Sequence, residues 1–216
     1  KERIPARFGF DPKTDIQVLS PMNRSLLGAR NLNQVLQQAL NPGDGGPEVQ
    51  RFGWTYRIGD RVIQTENDYT RDVFNGDLGV CWPGDSGLQA WFSAGGGELR
   101  RLPLAKLPAH DTAWAMTVHK SQGSEFDRVL LVLPTADVAV LTRELLYTAV
   151  SRARRSVVVV GRRRRRGLVA TTGPEGLEVV HVGEPHRQLR LIERADFAVG
   201  SVQNWKRFTP VSLPAK

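Results

Sequence analysis

The chain has 216 residues, 40% of them apolar and 24% charged, the balance of an ordinary globular protein and not of a disordered one. No run approaches the ~20 apolar residues of a membrane helix, and the opening Lys1-Glu2-Arg3-Ile4-Pro5 has no signal-peptide core. The net charge of +8 is local: residues 151–166 hold Arg152, Arg154, Arg155 and Arg162–Arg166 without an acid, and the rest of the chain is formally neutral.

The single cysteine, Cys81, excludes an internal disulfide and points to a reducing, cytoplasmic setting. No Cys/His cluster has zinc spacing, so no metal site is expected.

In chain order, Ile16-Gln17-Val18-Leu19 is the first apolar run of strand length. Leu32, Val35, Leu36, Ala39 and Leu40 then repeat with helical period, with Asn31 as the expected N-cap and Asn41-Pro42-Gly43 as the stop. Residues 48–108 read differently. Arg61-Val62-Ile63-Gln64-Thr65 alternates, Phe74–Leu78 contains a hairpin-type Asn75-Gly76 turn, and Leu88–Ala94 and Glu98–Leu104 flank three glycines. A small β-barrel inserted into a larger unit is expected there.

A helix is expected over about 112–121, followed by the apolar strand Val129–Leu133. Another helix is expected over about 142–153, with Leu145, Leu146, Ala149 and Val150 on one face, and then the strand Val157–Val160. Continuous apolar strands alternating with helices predict an α/β layer around a parallel sheet. After Gly161 come the five arginines, expected to be a solvated run that attracts polyanions, and a tail with one strand, Glu178–Val182. The expected division is a motor-type α/β unit in two segments, 1–47 and 109–161, around the insertion 48–108, with 162–216 as a basic run and tail.

Two stretches carry chemistry. The first is Thr117-Val118-His119-Lys120-Ser121-Gln122-Gly123-Ser124-Glu125-Phe126-Asp127. A helix ending at Gln122-Gly123 would put its loop at the carboxyl side of the sheet, the ligand edge of α/β folds. Gly123 allows close backbone approach, Glu125 could accept from a ribose diol, and Thr117, His119 and Lys120 could meet phosphates. Equally, Gly123 serves as a helix C′ residue, and Lys120 and His119 complement a negative helix end. The second stretch is Leu145–Arg154, where Arg152 could aim its planar fork at a γ-phosphate or simply be a solvated basic helix end. Taken singly, each stretch is read first as a polar or basic helix end.

Together they resemble motifs V and VI of superfamily 1 helicases: Thr117–Phe126 and Tyr147-Thr148-Ala149-Val150-Ser151-Arg152-Ala153-Arg154. Gln17–Arg24 and the Leu26–Gln37 segment are similar to the surroundings of motif IV in the RecD branch, the exodeoxyribonuclease V alpha subunit family. Asp60–Tyr69 and Val73–Asp77 are similar to that branch's SH3-like insertion. The resemblance runs through about residues 1–161 in order.

It implies a second RecA-like domain that closes on ATP held by a first, with single-stranded DNA crossing both. By motif, Arg152 would be the arginine finger, and Gly123 and Glu125 would lie at the nucleotide. Thr117, His119 and Lys120 would face DNA, with Asn67, Tyr69 and Asn75 as contacts from the barrel. Asn75 is sufficiently explained as a turn residue, and Tyr69 is read equally well as a base-stacking ring or as barrel core.

The chain contains no Gly-x-x-x-x-Gly-Lys-Ser/Thr loop and no Mg²⁺-binding acidic motif. The resemblance places both in an upstream RecA-like domain before Lys1, so ATP and Mg²⁺ belong to the full-length protein and this portion alone is expected to be inactive as an ATPase. The implied activity is 5′–3′ helicase action in recombinational repair of double-strand breaks, alone or with other exodeoxyribonuclease V subunits and with no membrane role. The competing readings are a non-catalytic DNA-binding or assembly module of helicase shape, and the helicase part of a conjugative relaxase.

Overall fold

The computed structural model describes residues 9–85, 87–95, 98–134, 138–160, 168–172, 178–182 and 198–201. Strand β1 (Ile16–Ser20) is buried along its whole length. It leads to helix α1 (Ala29–Leu40), which starts earlier than the sequence pattern suggests. Gly28 is the N-cap, and Asn31 lies inside the helix and donates to the Leu26 carbonyl (2.7 Å). The face α1 buries is also not the apolar stripe. Ala29, Asn33, Gln37 and Leu40 are buried, whereas Val35 is 54% exposed. The reason is what α1 packs against: backbone groups that need hydrogen bonds, which amides satisfy and leucines do not.

The insertion is the expected β unit. Hairpin β2 (Glu48–Arg51) and β3 (Trp54–Arg57) precedes β4 (Arg61–Gln64), β5 (Leu78–Gly84), β6 (Gly87–Gly95) and β7 (Glu98–Pro103). A 3₁₀ turn (Leu104–Lys106) then leads to β8 (His110–Thr112). The antiparallel order is β7-β6-β5-β4-β8, around a core that includes Tyr56, Val62, Cys81, Phe92 and Leu104. Burial pushes the Cys81 thiol and the Tyr56 phenol well above their ordinary pKa ranges. Asn75-Gly76 is a turn, with Gly76 at φ +99, but it does not join two strands directly. It closes an excursion over 65–77 pinned by an Asp68–Val73 bridge, and Gly76 N–H donates to the Gln64 carbonyl (2.9 Å).

The helix expected over 112–121 is absent. Instead β8 ends at Thr112, β9 (Ala115–Thr117) follows, and residues 118–123 form turns. Ala113, Trp114, Ala115 and Met116 are all buried. A short apolar run covered on every side has no period to separate strand from helix. The strand β10 (Phe126–Val132), the helix α2 (Arg143–Val150) and the strand β11 (Ala153–Val160) match expectation, and α2 is capped by Thr142 Oγ1 accepting from Leu145 N (3.2 Å).

Strands β9, β1, β10 and β11 are mutually parallel neighbours in that order. Leu19, Val129, Leu131, Val157 and Val159 share one core with Leu145, Leu146, Ala149 and Val150 of α2. Of the tail, β12 (Leu168–Thr172) pairs with β13 (Glu178–Val182), and β14 (Ala198–Ser201) adds antiparallel to β11. The strand expected at Glu178–Val182 is therefore present; Arg162–Arg166 lie outside the described residues.

Candidate functional site

Parallel strands dictate where the Thr117–Asp127 stretch goes. Thr117 ends β9, and Phe126 begins β10. Since both strands run the same way beside β1, the segment 118–125 has to cross the sheet from its carboxyl edge to its amino edge. The two halves of the stretch therefore sit at opposite edges. Gly123, Ser124 and Glu125 lie at the amino edge, not at the carboxyl side where a helix-to-strand reading puts them.

The crossing is made of tight turns. Val118 N donates to the Ser20 carbonyl (3.0 Å), Ser121 N to Thr117 (3.1 Å), Gln122 N to His119 (3.2 Å) and Ser124 N to Ser121 (3.1 Å). Ser121 is fully buried, its hydroxyl on the Val118 carbonyl (2.7 Å). Gly123 has φ +86 with open space where a side chain would stand, so it is the residue this turn requires.

At the amino edge, Arg152 follows α2, and its carbonyl accepts from Phe126 N (2.8 Å). Its guanidinium is half-buried. Nε donates to the Thr148 carbonyl (3.2 Å), Nη1 to the Ser124 carbonyl (3.3 Å) and Nη2 to Ser151 Oγ (3.1 Å). All three acceptors are neutral, so the fork is held in place without a carboxylate neutralising it. Glu125 is paired instead with Arg154 (3.1 Å), both more than half exposed, and Asp127 with Arg155 (3.5 Å). Such surface pairs contribute little to stability. Arg154 was visible in the sequence only as general basicity; its position beside Glu125 follows from the pairing of Phe126 with Ala153.

At the carboxyl edge a cleft of about 110 Å³ opens between the sheet and the β2–β3 hairpin. Thr117 and Lys120 line it together with Asn23, Arg30, Phe52, Trp54 and Asp111, which sequence reasoning missed. Asp111 organises one wall: it accepts from Trp54 Nε1 (3.0 Å) and pairs with the Lys120 ammonium. The Arg30 guanidinium stands 5.7 Å from the Trp54 ring centre. His119 is exposed at the start of the crossing segment.

Asn67 and Tyr69 do not join this cleft; they stand on the 65–77 excursion. Tyr69 is 78% exposed, edge-on to Phe74 at 5.8 Å, so the core reading of its ring does not hold. Asn67 Oδ1 accepts from Asn75 N (2.8 Å), and Asn67 Nδ2 reaches Tyr69 Oη at 3.4 Å.

A buried seam fixes the hairpin relative to the sheet. Asp60, fully buried, accepts from Asn41 Nδ2 (2.8 Å), Trp114 Nε1 (3.1 Å), Gln37 Nε2 (2.5 Å) and Arg57 N (2.7 Å). Burial raises its pKa above the usual carboxylate value, and the four donors pull the other way. Next to it, Arg61 donates to the Ile16 carbonyl (3.0 Å) and to Gln17 Oε1 (2.6 Å), and burial pushes its pKa down to about 10. Among the described residues no group of three His, Cys, Asp or Glu side chains could hold a metal ion, and no helix is long and apolar enough to cross a membrane.

Residues 32–89 match the SH3 domain of ATP-dependent RecD-like DNA helicases, and residues 112–160 match the UvrD-like helicase C-terminal domain. An ATP-dependent RecD2 DNA helicase of Deinococcus radiodurans is 41% identical over 140 residues, which is 64% of this chain and 19% of that protein. The RecBCD enzyme subunit RecD of Mycobacterium tuberculosis is 43% identical over 135 residues, 62% of this chain and 22% of that subunit. The chain thus spans about a fifth of the length of these curated relatives. Among solved structures, a Bacteroides Pif1 bound to ssDNA is 18% identical with a TM-score of 0.42, covering 65% of this chain and 38% of that one.

Proposed function

Because this chain belongs to the RecD-like family of superfamily 1 DNA helicases, we propose that it is the C-terminal motor portion of an ATP-dependent 5′–3′ helicase. Its RecA-like sheet, carrying the SH3-like insertion, would close one edge on a nucleotide and grip single-stranded DNA with the other. The observation that carries this reading is the segment 118–125, which leaves the carboxyl edge at Thr117 and arrives at the amino edge beside Arg152. One short, hydrogen-bonded piece of chain therefore links the two edges, so a displacement at one is felt at the other.

The amino edge fits half of a nucleotide site. Arg152 offers a positioned fork on neutral acceptors only, and Gly123 leaves open space beside it. Bound ATP supplies a γ-phosphoryl group whose transfer to water drives translocation. Toward that group, Arg152 orients and stabilises charge, while the Gly123 backbone and Glu125 flank the ribose side. Thr117, His119 and Lys120 hold phosphates of the strand, with Asn67 and Tyr69 as contacts from the barrel. The phosphate loop and the acidic residues for Mg²⁺ belong in this reading to an upstream RecA-like domain of the same protein. The work is double-strand-break repair and recombination in the cytoplasm, alone or beside other exodeoxyribonuclease V subunits.

In the longer protein, Arg152→Ala should lower DNA-stimulated ATPase by about a thousandfold and leave single-stranded DNA affinity essentially unchanged. Undiminished turnover in that variant would overturn the arginine-finger assignment. The isolated chain should hydrolyse no ATP above background.

A further inference from the structure

Phe52 stands where the backbone least favours it. The β2–β3 hairpin is closed by Phe52-Gly53, with φ +52 and +77. Two positive φ values mark the type I′ turn, whose first central position is best served by Asn, Asp or Gly. An aromatic residue in the left-handed region is strained, and such strain persists only where the surroundings override it. Here the ring packs edge-on against His110 (5.2 Å, 85°) with the Arg51 guanidinium 4.9 Å from its centre, yet it remains 50% exposed.

Its neighbours in the cleft are equally specific. Trp54 is fixed by its indole N–H on Asp111 and carries Arg30 near its ring; Lys120 faces it from the same carboxylate. Among the described residues Asp111 is the only acid lining the cleft, and Lys120 offsets its charge. The hollow is smaller than the ~300 Å³ and upward of pockets that enclose whole ligands. It suits a flat ring entering from an open side, with phosphates on the cations around it.

We propose that Phe52 and Trp54 form a stacking platform for a base of the single strand gripped at Thr117 and Lys120, which makes the β2–β3 hairpin a DNA-contacting element of this motor domain. The platform rests on the reading of the carboxyl edge as the DNA edge. It adds a contact that tolerates any base and depends little on salt, because every base presents a π-face. The nearby cations supply the salt-sensitive part.

The test uses the 216-residue chain and a fluorescent oligothymidylate, with affinity measured by anisotropy across a salt series. Phe52→Asn suits the turn, since Asn-Gly closes a type I′ hairpin without strain, and circular dichroism checks that it is folded. It should bind about ten-fold more weakly with an unchanged slope of affinity against salt. Phe52→Tyr, which keeps a ring, should bind as the unaltered chain does. An abasic strand should bind the unaltered chain at least as weakly as the intact strand binds Phe52→Asn, since it loses Trp54 as well. Equal affinity of Phe52→Asn and the unaltered chain for the intact strand would overturn the platform while leaving the DNA edge standing. Absence of binding by the unaltered chain at low salt, or a Lys120→Ala variant with the same affinity and slope, would overturn the DNA edge and the platform with it.

Discussion

The parallel sheet and the seam that joins it to the barrel are held by opposite means. In the sheet, Leu19, Val129, Leu131, Val157 and Val159 meet the leucines of α2 in a core of hydrocarbon alone. In the seam, Asp60, Gln37, Asn41, Asn33, Gln17 and Arg61 join α1, the barrel and β1 through hydrogen bonds, most of them buried. An apolar core tolerates changes of shape at nearly constant volume. A polar seam accepts one arrangement, because each donor has a particular acceptor and a missing partner is costly. The seam thereby fixes the angle at which the β2–β3 hairpin overlooks Thr117.

Deletions at the two places should cost similar amounts, and near-isosteric changes should separate them. Asp60→Ala removes the acceptor shared by four donors. Trp114 Nε1 and Arg57 N have no other among the described residues, while Gln37 and Asn41 keep the Thr55 and Ile58 carbonyls, so stability should fall by about 2–5 kcal/mol. Leu131→Ala, at a site with no exposure, should cost about 2–5 kcal/mol. Urea titrations of the two variants would read both. Leu131→Met should then cost less than about 1.5 kcal/mol. Asp60→Asn, of nearly the same size, should still cost at least about 2 kcal/mol, because its NH₂ group faces donors. An Asp60→Asn protein as stable as the original would break the contrast.

A smaller effect is expected at Asn33, where the seam meets the sheet edge. Asn33 Nδ2 donates to the Ala115 carbonyl (2.7 Å), and its Oδ1 accepts from Ala115 N (2.8 Å). It thus covers the outer side of β9, the edge strand of the sheet. Asn33→Leu keeps the volume and leaves two buried backbone groups unpaired, at about 2 kcal/mol in urea titration. Hydrogen exchange should show faster opening of the Ala115 amide, next to the proposed DNA grip at Thr117, and undisturbed exchange in β11.

This contrast also separates what was legible in the sequence from what was not. Burial by hydrocarbon leaves a periodic trace, so β1, β10, β11 and α2 could be placed, and Leu145, Leu146, Ala149 and Val150 are buried as their spacing implies. Burial by hydrogen bonding leaves none. Asn33 and Gln37 look like the solvent side of α1, while Leu32 and Val35, which look like its core side, are not buried. The 113–116 run lies within the expected 112–121 helix, and because its apolar residues pack on every side it carries no period that marks it as strand. Of the candidate sites, Arg152, Gly123 and Glu125 lie at one edge because they stand just before the starts of neighbouring parallel strands, the amino edge and not the carboxyl one. Phe52 and Trp54 share one hairpin, but Arg30 and Asp111 come from two other, distant places in the chain. No local spacing brings them together; the seam does.

The smallest expected effect concerns pH and sits on the barrel side of the seam. His110 is buried beneath Phe52 and Tyr56, with Nδ1–H on the Pro108 carbonyl (2.6 Å) and Nε2 unpartnered. Burial lowers its pKa, and Arg51 acts in the same direction. The Pro108 carbonyl and Asp111 act against both. A His with a depressed folded-state pKa stabilises the fold above its unfolded value, near 6.5, and that contribution is lost as pH falls through the folded value. The stability of the unaltered chain should therefore decline from about pH 6.5 downward, and His110→Phe should remove that part of the slope, read as the difference between the two urea midpoints at each pH. Asp60, with its raised pKa, runs the other way: its protonation favours the fold, so its contribution is present below about pH 3.9 and is lost as pH rises through the folded value. A His110→Phe protein that loses stability below about pH 6.5 as steeply as the unaltered chain would show that the titrating group is not His110.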